Sequence, residues 1–151
     1  MLMTSKERVL ERERNRGRAA ARDLAGRAKD MDGTAIIAEE DHIPAWREDA
    51  AYTTAHVGFP VRDGDQVYVI IMPHTPAHNP GSRPADLPAI YGLLHTKDPA
   101  KAKPYKAPFG TSGLYMTGEC CTEKGATHRS THDNNPYAPS EYPQWWEEVT
   151  V

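Results

Sequence analysis

The sequence has few of the residues that build a large hydrophobic core. Hydrophobic side chains make up 38% of its 151 residues, which favours small modules over one large core. No apolar run approaches the ~20 residues that a membrane-spanning helix needs. The stretch from Met1 to Lys6 lacks the apolar core of a signal peptide. We therefore expect a protein that is made in the cytoplasm without a signal peptide and has no membrane partner.

Features of disulfide and metal sites are also scarce. The two cysteines, Cys120 and Cys121, are adjacent, and they are too few for a disulfide framework or a structural zinc site. His74 and His78 have the i,i+4 spacing of a metal pair, but the prolines around them exclude the helix that such a pair needs. A looser group lacks supporting Cys or Glu ligands: His128, His132 and Asp133. We predict reduced, partly buried thiols, no metal and no cofactor.

The signatures of common enzymes are missing as well. The sequence contains no Gly-x-Ser-x-Gly elbow, no Cys–His nucleophile signature and no phosphate-binding loop. Glu119 and Glu123 are candidates for the acid and base of a glycosidase, which needs two carboxylates at a set separation. They fall, however, on a short turn of a module too small to build a deep cleft. We interpret them as solvated surface residues and predict that the protein is not an enzyme.

The stretch before Gly33 contains two glycines and no proline, which favours a helix. Thr4 and Glu7 have the spacing of a capping box, and good helix formers follow them. We predict a helix over 1–33 that ends at Gly33. Residues 1–32 carry nine Lys or Arg and six Asp or Glu. Arg and Glu alternate over 11–14, which indicates a solvated helix face and makes a nucleic-acid partner the weaker interpretation.

A narrow apolar seam follows this predicted helix. Met3, Leu10, Gly17, Leu24 and Met31 recur every seven residues, as in a weak coiled coil. Such a seam stabilises a lone helix poorly. We therefore predict oligomerisation or docking through Leu10, Leu24 and Met31, either on copies of the chain, for which a trimer is one candidate, or on a larger partner. A frayed tail is the alternative.

The rest of the chain is rich in turns and reads as short strands. Asp63 and Gly64 form the turn of a predicted hairpin over 58–71, because Asp-Gly supplies the positive φ that hairpin turns need. A second set of strands is expected around 114–117. The predicted fold is mainly β, with the long N-terminal α-helix followed by two small β-modules. The modules span 34–96 and 109–151, with a Lys- and Pro-rich linker over 97–108.

The two modules have the pattern of an internal repeat. Residues 84–94 align with 139–149 at an offset of 55, sharing the order Pro, acid, apolar or aromatic, Pro, aromatic, aliphatic. The same offset aligns three further pairs: Gly58 with Gly113, Val61 with Met116, and Asn79 with Asn134. Identities are few, so duplication is the favoured interpretation and chance similarity the alternative.

Aromatic residues crowd the second module, and they are the candidate binding residues: Tyr115, Tyr137, Tyr142, Trp145 and Trp146. Adjacent side chains of a strand point to opposite faces, so one tryptophan can be core while the other is exposed. Exposed rings stack on the apolar face of a sugar. Nucleobases also stack, but their sites usually add a positive groove, and this half is acidic. The alternative is that all the rings form the core of a tiny module.

The second module resembles the chitin-binding type 3 domain, the carbohydrate-binding modules of families five and twelve. The resemblance covers 109–149 and rests on this pattern: Tyr115, Gly118, Glu119, Cys121, Gly125, Arg129, Ser130, Pro139, Pro143, Trp145, Trp146 and Val149. It implies a cell-surface polysaccharide as ligand, bound by Trp145 and neighbouring aromatics. The family usually has Val at the position of Cys121. A weaker copy over 46–94 closes on Tyr91 instead of Trp, which leaves sugar binding there open.

The whole layout resembles small proteins encoded beside tail-fibre genes in bacteriophages and prophages. The segment 32–40, the Pro-His pair at 73–74 and the run 95–99 carry this likeness. It implies a virion component of the phage tail that contacts host surface glycans. Other tail-fibre or baseplate proteins would then bind the N-terminal helix. A purely structural adaptor of the tail without a glycan ligand is the alternative.

Overall fold

The long helix begins at the predicted capping box. In a computed structural model that describes residues 2–151, the Glu7 amide donates to Thr4 Oγ1 over 3.1 Å, and the Thr4 amide donates to Glu7 Oε2 over 2.6 Å. Helix α1 runs over Ser5–Arg27 and is followed by a 3₁₀ turn, Ala28–Asp30. The predicted N-terminal helix is therefore confirmed. Gly33 opens a second short helix, α2 (Gly33–Ala38), instead of serving as the stop of the first.

Helix α1 packs on the rest of the chain only through its last turns. Residues 2–19 are all exposed, whereas Leu24 is completely buried. Leu24 lies in a core cluster with residues of α2, the segment after it and the first sheet: Ala28, Ile36, Ile37, Ile43 and Val67. Met31 packs against the same cluster. The prediction that Leu24 and Met31 mediate oligomerisation is wrong, because the chain's own body covers them; Leu10 remains 45% exposed.

Seven strands follow in two sheets, so the chain is a mixed α/β protein with substantial β content. The first sheet has the order β1-β2-β3 and is antiparallel throughout, built from Pro60–Asp63, Gln66–Ile70 and Tyr91–Leu93. The second has the order β4-β5-β6-β7, built from Lys103–Pro104, Cys120–Glu123, Ala126–Ser130 and Trp146–Val149. Only β4 runs parallel to its neighbour, β5. The strands expected around 114–117 lie a few residues later, at β5.

The segment over 97–108, predicted to be a linker, is part of the folded body. It contains a 3₁₀ turn, Pro99–Lys101, and strand β4. Lys101 and Lys103 both form ion pairs with Glu40. The side-chain amide of Gln66 donates to the Pro104 carbonyl over 2.8 Å. The segment therefore connects the first module, the helical region and the second sheet.

The hairpins of the two modules make the same hydrogen bonds. The Gly58 amide donates to the Ile70 carbonyl over 2.8 Å, and the Gly118 amide donates to the Ser130 carbonyl over 2.8 Å. Both glycines have positive φ, +90° and +93°, a conformation that L side chains rarely adopt. Gly58 therefore corresponds to Gly118, sixty residues later, and not to Gly113 as the predicted offset requires.

The closing strands correspond at the smaller offset. The Ile71 amide donates to the Ile90 carbonyl over 2.7 Å, and the Thr131 amide donates to the Trp145 carbonyl over 2.9 Å. Ile71 and Thr131 are sixty residues apart, whereas Ile90 and Trp145 are fifty-five apart. The connection between the last two strands is thus five residues shorter in the second module, and one fixed offset cannot align both parts.

The two modules meet at a buried histidine. The His95 ring stacks on Tyr115 with a centroid distance of 3.7 Å, and its Nε2 lies 2.8 Å from the Gly113 carbonyl oxygen. Thr96 forms a bridge to Cys120 in the second sheet. Gly33 approaches so closely that a Cβ there would clash with the His95 carbonyl. The helical region and the second module therefore both contact this short stretch.

Candidate functional site

Three aromatic rings form a cluster on the surface of the second module. Tyr137 and Tyr142 stack with a centroid distance of 5.0 Å, and both meet Trp145 edge-on at 5.6 and 5.4 Å. Tyr137 is 39% exposed and Tyr142 is 37% exposed. All three come from the segment between β6 and β7. The structure thus brings together three of the five predicted binding residues.

A histidine adds a fourth ring to this cluster. The His132 imidazole lies flat on the Trp145 indole, with a centroid distance of 4.4 Å and an interplanar angle of 10°. Its Nδ1 is 3.1 Å from Thr131 Oγ1. The sequence pattern suggested His132 only as a weak metal ligand. His132 lies just after strand β6, in the same loop as the other rings. This position is the sequence feature that could have predicted it as part of the site.

The loop that carries the rings is held from below by Asn135, which is completely buried. Its side-chain amide donates to Ser130 Oγ over 3.0 Å, and its Oδ1 accepts from the Tyr137 amide over 3.1 Å. Its backbone exchanges two hydrogen bonds with Tyr115. Because these bonds satisfy the buried amide, they fix the loop in one conformation. The rings are therefore positioned before any ligand arrives.

Tyr115 and Trp146 belong to the core and not to the surface cluster. They are 1% and 7% exposed and contact each other edge-on at 5.2 Å. Burial raises the pKa of the Tyr115 hydroxyl well above its usual value. Trp146 Nε1 donates to the Tyr137 carbonyl over 3.0 Å, so Trp146 supports the cluster from inside. Their prediction as ligand contacts is wrong, because a buried ring offers no face to a sugar.

The two candidate carboxylates of a glycosidase are engaged with backbone amides. Glu119 Oε1 accepts from the Met116 amide over 2.6 Å, and Glu123 Oε1 accepts from the Ser140 amide over 2.9 Å. Burial raises the pKa of Glu119. Both side chains therefore stabilise loops, and neither matches the solvated surface residue that we predicted.

The second module, which carries the cluster, has a net negative charge. Residues 109–151 contain six Asp or Glu and two Lys or Arg. A negative field of this kind repels polyanions and does not oppose neutral or cationic polymers. The ring cluster combined with this charge fits an uncharged or amine-bearing sugar better than a nucleic acid.

The first module has no ring cluster at the equivalent position, although its half-buried rings Tyr52, His56 and Phe59 contact one another elsewhere. By the matching hydrogen bonds, Ile90 occupies the position of Trp145, and Met72 occupies that of His132. Tyr91 is buried, and its hydroxyl accepts from Trp46 Nε1 over 3.0 Å. Side chains exposed on this face are aliphatic, with Ile71 46% and Met72 51% exposed. The two modules thus share these backbone hydrogen bonds and differ in the side chains that they expose at this position.

Residues 2–151 show neither a metal-binding cluster nor a membrane-spanning helix. Within that range, no group of three or more His, Cys, Asp or Glu side chains is placed to hold a metal ion, and no helix is long and apolar enough to cross a bilayer. Cys120 and Cys121 are free thiols, and both are buried, whereas we predicted that they would be only partly buried. Burial raises the pKa of Cys121 to about 12.

Neither a protein-family model nor a curated protein sequence matches the chain. The likeness to the chitin-binding type 3 domain therefore rests only on the individual residues quoted for it above.

Proposed function

We propose that the protein is a non-enzymatic carbohydrate-binding accessory protein that acts as a tail component of a phage particle and contacts host surface glycans. The observation that supports this best is the surface cluster in which Tyr137 and Tyr142 are exposed and Trp145 is half-buried beside them. A soluble protein with a thin core gains more by burying large rings than by exposing them. Rings that are nonetheless exposed, on a loop fixed by hydrogen bonds, are typical of a stacking surface.

The chemistry of the cluster favours sugars over other stacking ligands. A pyranose presents an apolar C–H face to a ring and hydroxyls at its edge. Polar groups flank the rings along the same loop, including Thr131, His132 and Gln144. The cluster is shallow, so each contact would be weak. Several copies on one particle would raise the avidity for a polymer without new contacts.

The two modules are proposed to be copies of one carbohydrate-binding-type unit. The shared hydrogen bonds of Gly58 and Gly118, and of Ile71 and Thr131, support this. Only the second copy carries a ring cluster in the loop before the last strand, so we assign glycan binding to the second module alone. The helix is then the part that attaches the modules to a partner in the tail.

The alternative, a structural adaptor without a glycan ligand, has one observation in its favour. Ile71 and Met72 are exposed on the first module, at the place where the second module presents its rings. Aliphatic side chains there suit a protein contact. On this alternative the rings of the second module would also be covered by a partner in the assembled particle.

The decisive experiment is a pull-down of the full chain on insoluble chitin and on Gram-positive cell walls. Tyr137→Ala and Tyr142→Ala remove exposed rings of the cluster. Phe109→Ala is the matched control, because Phe109 is 75% exposed in the same module and is not one of the clustered rings. Circular dichroism confirms that each variant folds. We expect binding by the wild type and the control, and loss in both tyrosine variants. No binding of the wild type to either polymer favours the adaptor.

A further inference from the structure

The exposed part of helix α1 carries a charge pattern that reverses halfway along one stripe. Glu7, Glu11, Arg14 and Arg18 are spaced i, i+4, i+7 and i+11, so they share one face of an α-helix. The two acids lie in the first half and the two bases in the second. All four side chains are exposed. Such a stripe is complementary to itself only when the second helix runs in the opposite direction.

An apolar edge lies beside this stripe. Met3, Leu10 and Gly17 recur every seven residues, and Met3 and Leu10 are 42% and 45% exposed. No atom lies within 4 Å of where a Cβ of Gly17 would stand, which leaves room for a neighbouring backbone. The combined face therefore has the features of a helix–helix contact: apolar residues, a glycine for close approach, and flanking charges.

The same stripe leads into an apolar groove at the base of the helix. Ala21 and Ala25 lie fourteen and eighteen residues after Glu7 and so continue the stripe. They form one wall of a groove of about 170 Å³. The opposite wall is apolar and comes from the first module: Tyr52, Phe59, Val61 and Ile70. The groove is thus open to a side chain that arrives along the helix.

We infer that this face binds a second copy of the chain, with the two α1 helices antiparallel and the two-fold axis between residues 12 and 13. The inference goes beyond the proposed function, which gives the helix a partner in the tail, by making a second copy of the chain a partner of the helix. In this arrangement Glu7 and Glu11 of one copy lie opposite Arg14 and Arg18 of the other. A parallel pair in register would place like charges opposite each other, which is destabilising.

The antiparallel arrangement also supplies an occupant for the groove. With the axis between residues 12 and 13, Thr4 of the second copy lies beside Ala21, since both helices rise 1.5 Å per residue. Leu2 precedes the helix and continues past Ala21 towards Ala25. Leu2 is 91% exposed in the single chain, and the apolar groove begins at Ala21. Insertion of Leu2 would bury apolar surface on both copies. The glycan-binding modules would then lie at opposite ends of the pair.

Sedimentation equilibrium of the full chain tests the pair without any glycan, so its result is separate from that of the pull-down. We expect a dimer that weakens as salt is raised, because the flanking charges are exposed. The single variants Glu11→Arg and Arg14→Glu each place like charges along the stripe and leave the Glu7 side chain in the helix cap. We expect the dissociation constant to rise at least about tenfold in each. The double variant Glu11→Arg/Arg14→Glu restores self-complementarity and the dimer.

The groove is tested separately with Leu2→Asp and a matched control, Val9→Asp. Val9 lies on the opposite side of the helix and is 55% exposed. We expect Leu2→Asp to weaken the dimer and Val9→Asp to leave it unchanged. Equal effects of the two variants would remove the groove from the interface.

Crosslinking with a short bifunctional thiol reagent determines the direction of the helices. Two Leu10→Cys side chains would be about 8 Å apart along the helix axis and should crosslink between copies, whereas two Met3→Cys side chains would be more than about 25 Å apart and should not. The native thiols Cys120 and Cys121 are buried and do not compete. A monomer at every concentration would overturn the inference. Crosslinking of Met3→Cys as readily as Leu10→Cys would overturn it too, because that result requires parallel helices.

Discussion

The imidazole of His132 covers one face of the Trp145 indole, at a centroid distance of 4.4 Å and nearly parallel to it. On the proposed function, a sugar would meet Trp145 together with His132 as one stacked unit, or would meet the two tyrosines beside it. The stack also restrains the Trp145 rotamer, and a restrained ring loses less entropy on binding. His132 is thus expected to contribute to affinity even where it does not touch the ligand.

The first prediction concerns this stack. His132→Ala should leave folding intact, because the side chain is exposed. It should lower glycan affinity about two- to tenfold, the amount expected from losing one aromatic pair worth about 0.5–1.5 kcal/mol. Calorimetric titration with a soluble oligosaccharide measures it. His78→Ala, an exposed histidine of the first module, is the control. Equal losses in both variants would remove His132 from the site.

The second prediction separates core rings from surface rings. Trp146→Ala should lower the free energy of unfolding by about 3–5 kcal/mol, as a large buried ring does. Tyr142→Ala should lower it by less than about 1 kcal/mol, since its ring is half exposed. Urea unfolding followed by circular dichroism measures both. A Trp146→Ala protein as stable as wild type would show that this ring is not needed in the core, against its 7% exposure.

The sequence predicts the structure correctly where a few neighbouring residues determine it. The capping box places the start of α1, and Asp63-Gly64 places the first hairpin turn. The seven-residue seam predicts the wrong neighbour for Leu24, because periodicity shows that a helix face is apolar and does not show which residues cover it. Leu24 and Met31 lie under the chain's own α2, whereas Leu10 lies beyond the body.

Other features depend on contacts between distant parts of the chain. The offset between the matching hydrogen bonds changes from sixty to fifty-five residues, because a connection of different length joins the last two strands. Which of two adjacent tryptophans is buried depends on packing with distant residues: Trp146 lies in the core with Tyr115 and Cys121, and Trp145 is only partly buried against them. The second hairpin was placed too early, since its turn uses Lys124 with φ +51°, a residue that rarely marks such a turn.

The third prediction is a dependence of stability on pH that originates at His95. Burial lowers its pKa to about 4 in the folded protein, whereas the unfolded chain titrates near 6.5. The unfolded state therefore binds more protons between these values, and stability falls as the pH falls from 6.5 towards 4. We expect a loss of about 2 kcal/mol at pH 5 relative to pH 7.5 from this group.

Urea unfolding at the two pH values measures this loss. His95→Gln keeps a side chain able to donate to the Gly113 carbonyl but does not titrate in this range. Its stability should change less with pH than that of the wild type. An identical pH dependence in the variant would show that other groups cause it.

The fourth prediction uses the strained turn of the second hairpin. Lys124 has φ +51° and Gly125 has φ +80°, the positive values that a tight hairpin turn requires at both positions. A lysine there costs about 1 kcal/mol relative to residues that tolerate this region. Lys124→Asn should therefore raise the free energy of unfolding by about 0.5–1 kcal/mol. Thermal or urea unfolding measures the change.

Gly125→Ala is the matched contrast for that turn. No atom lies within 4 Å of where the new Cβ would stand, so any loss of stability comes from the backbone conformation and not from a clash. We expect a loss of about 1 kcal/mol or more. Because the turn joins β5 to β6, and β6 leads into the loop that carries the rings, Lys124→Asn should keep glycan affinity unchanged. A gain of stability in Gly125→Ala would contradict the assigned turn conformation.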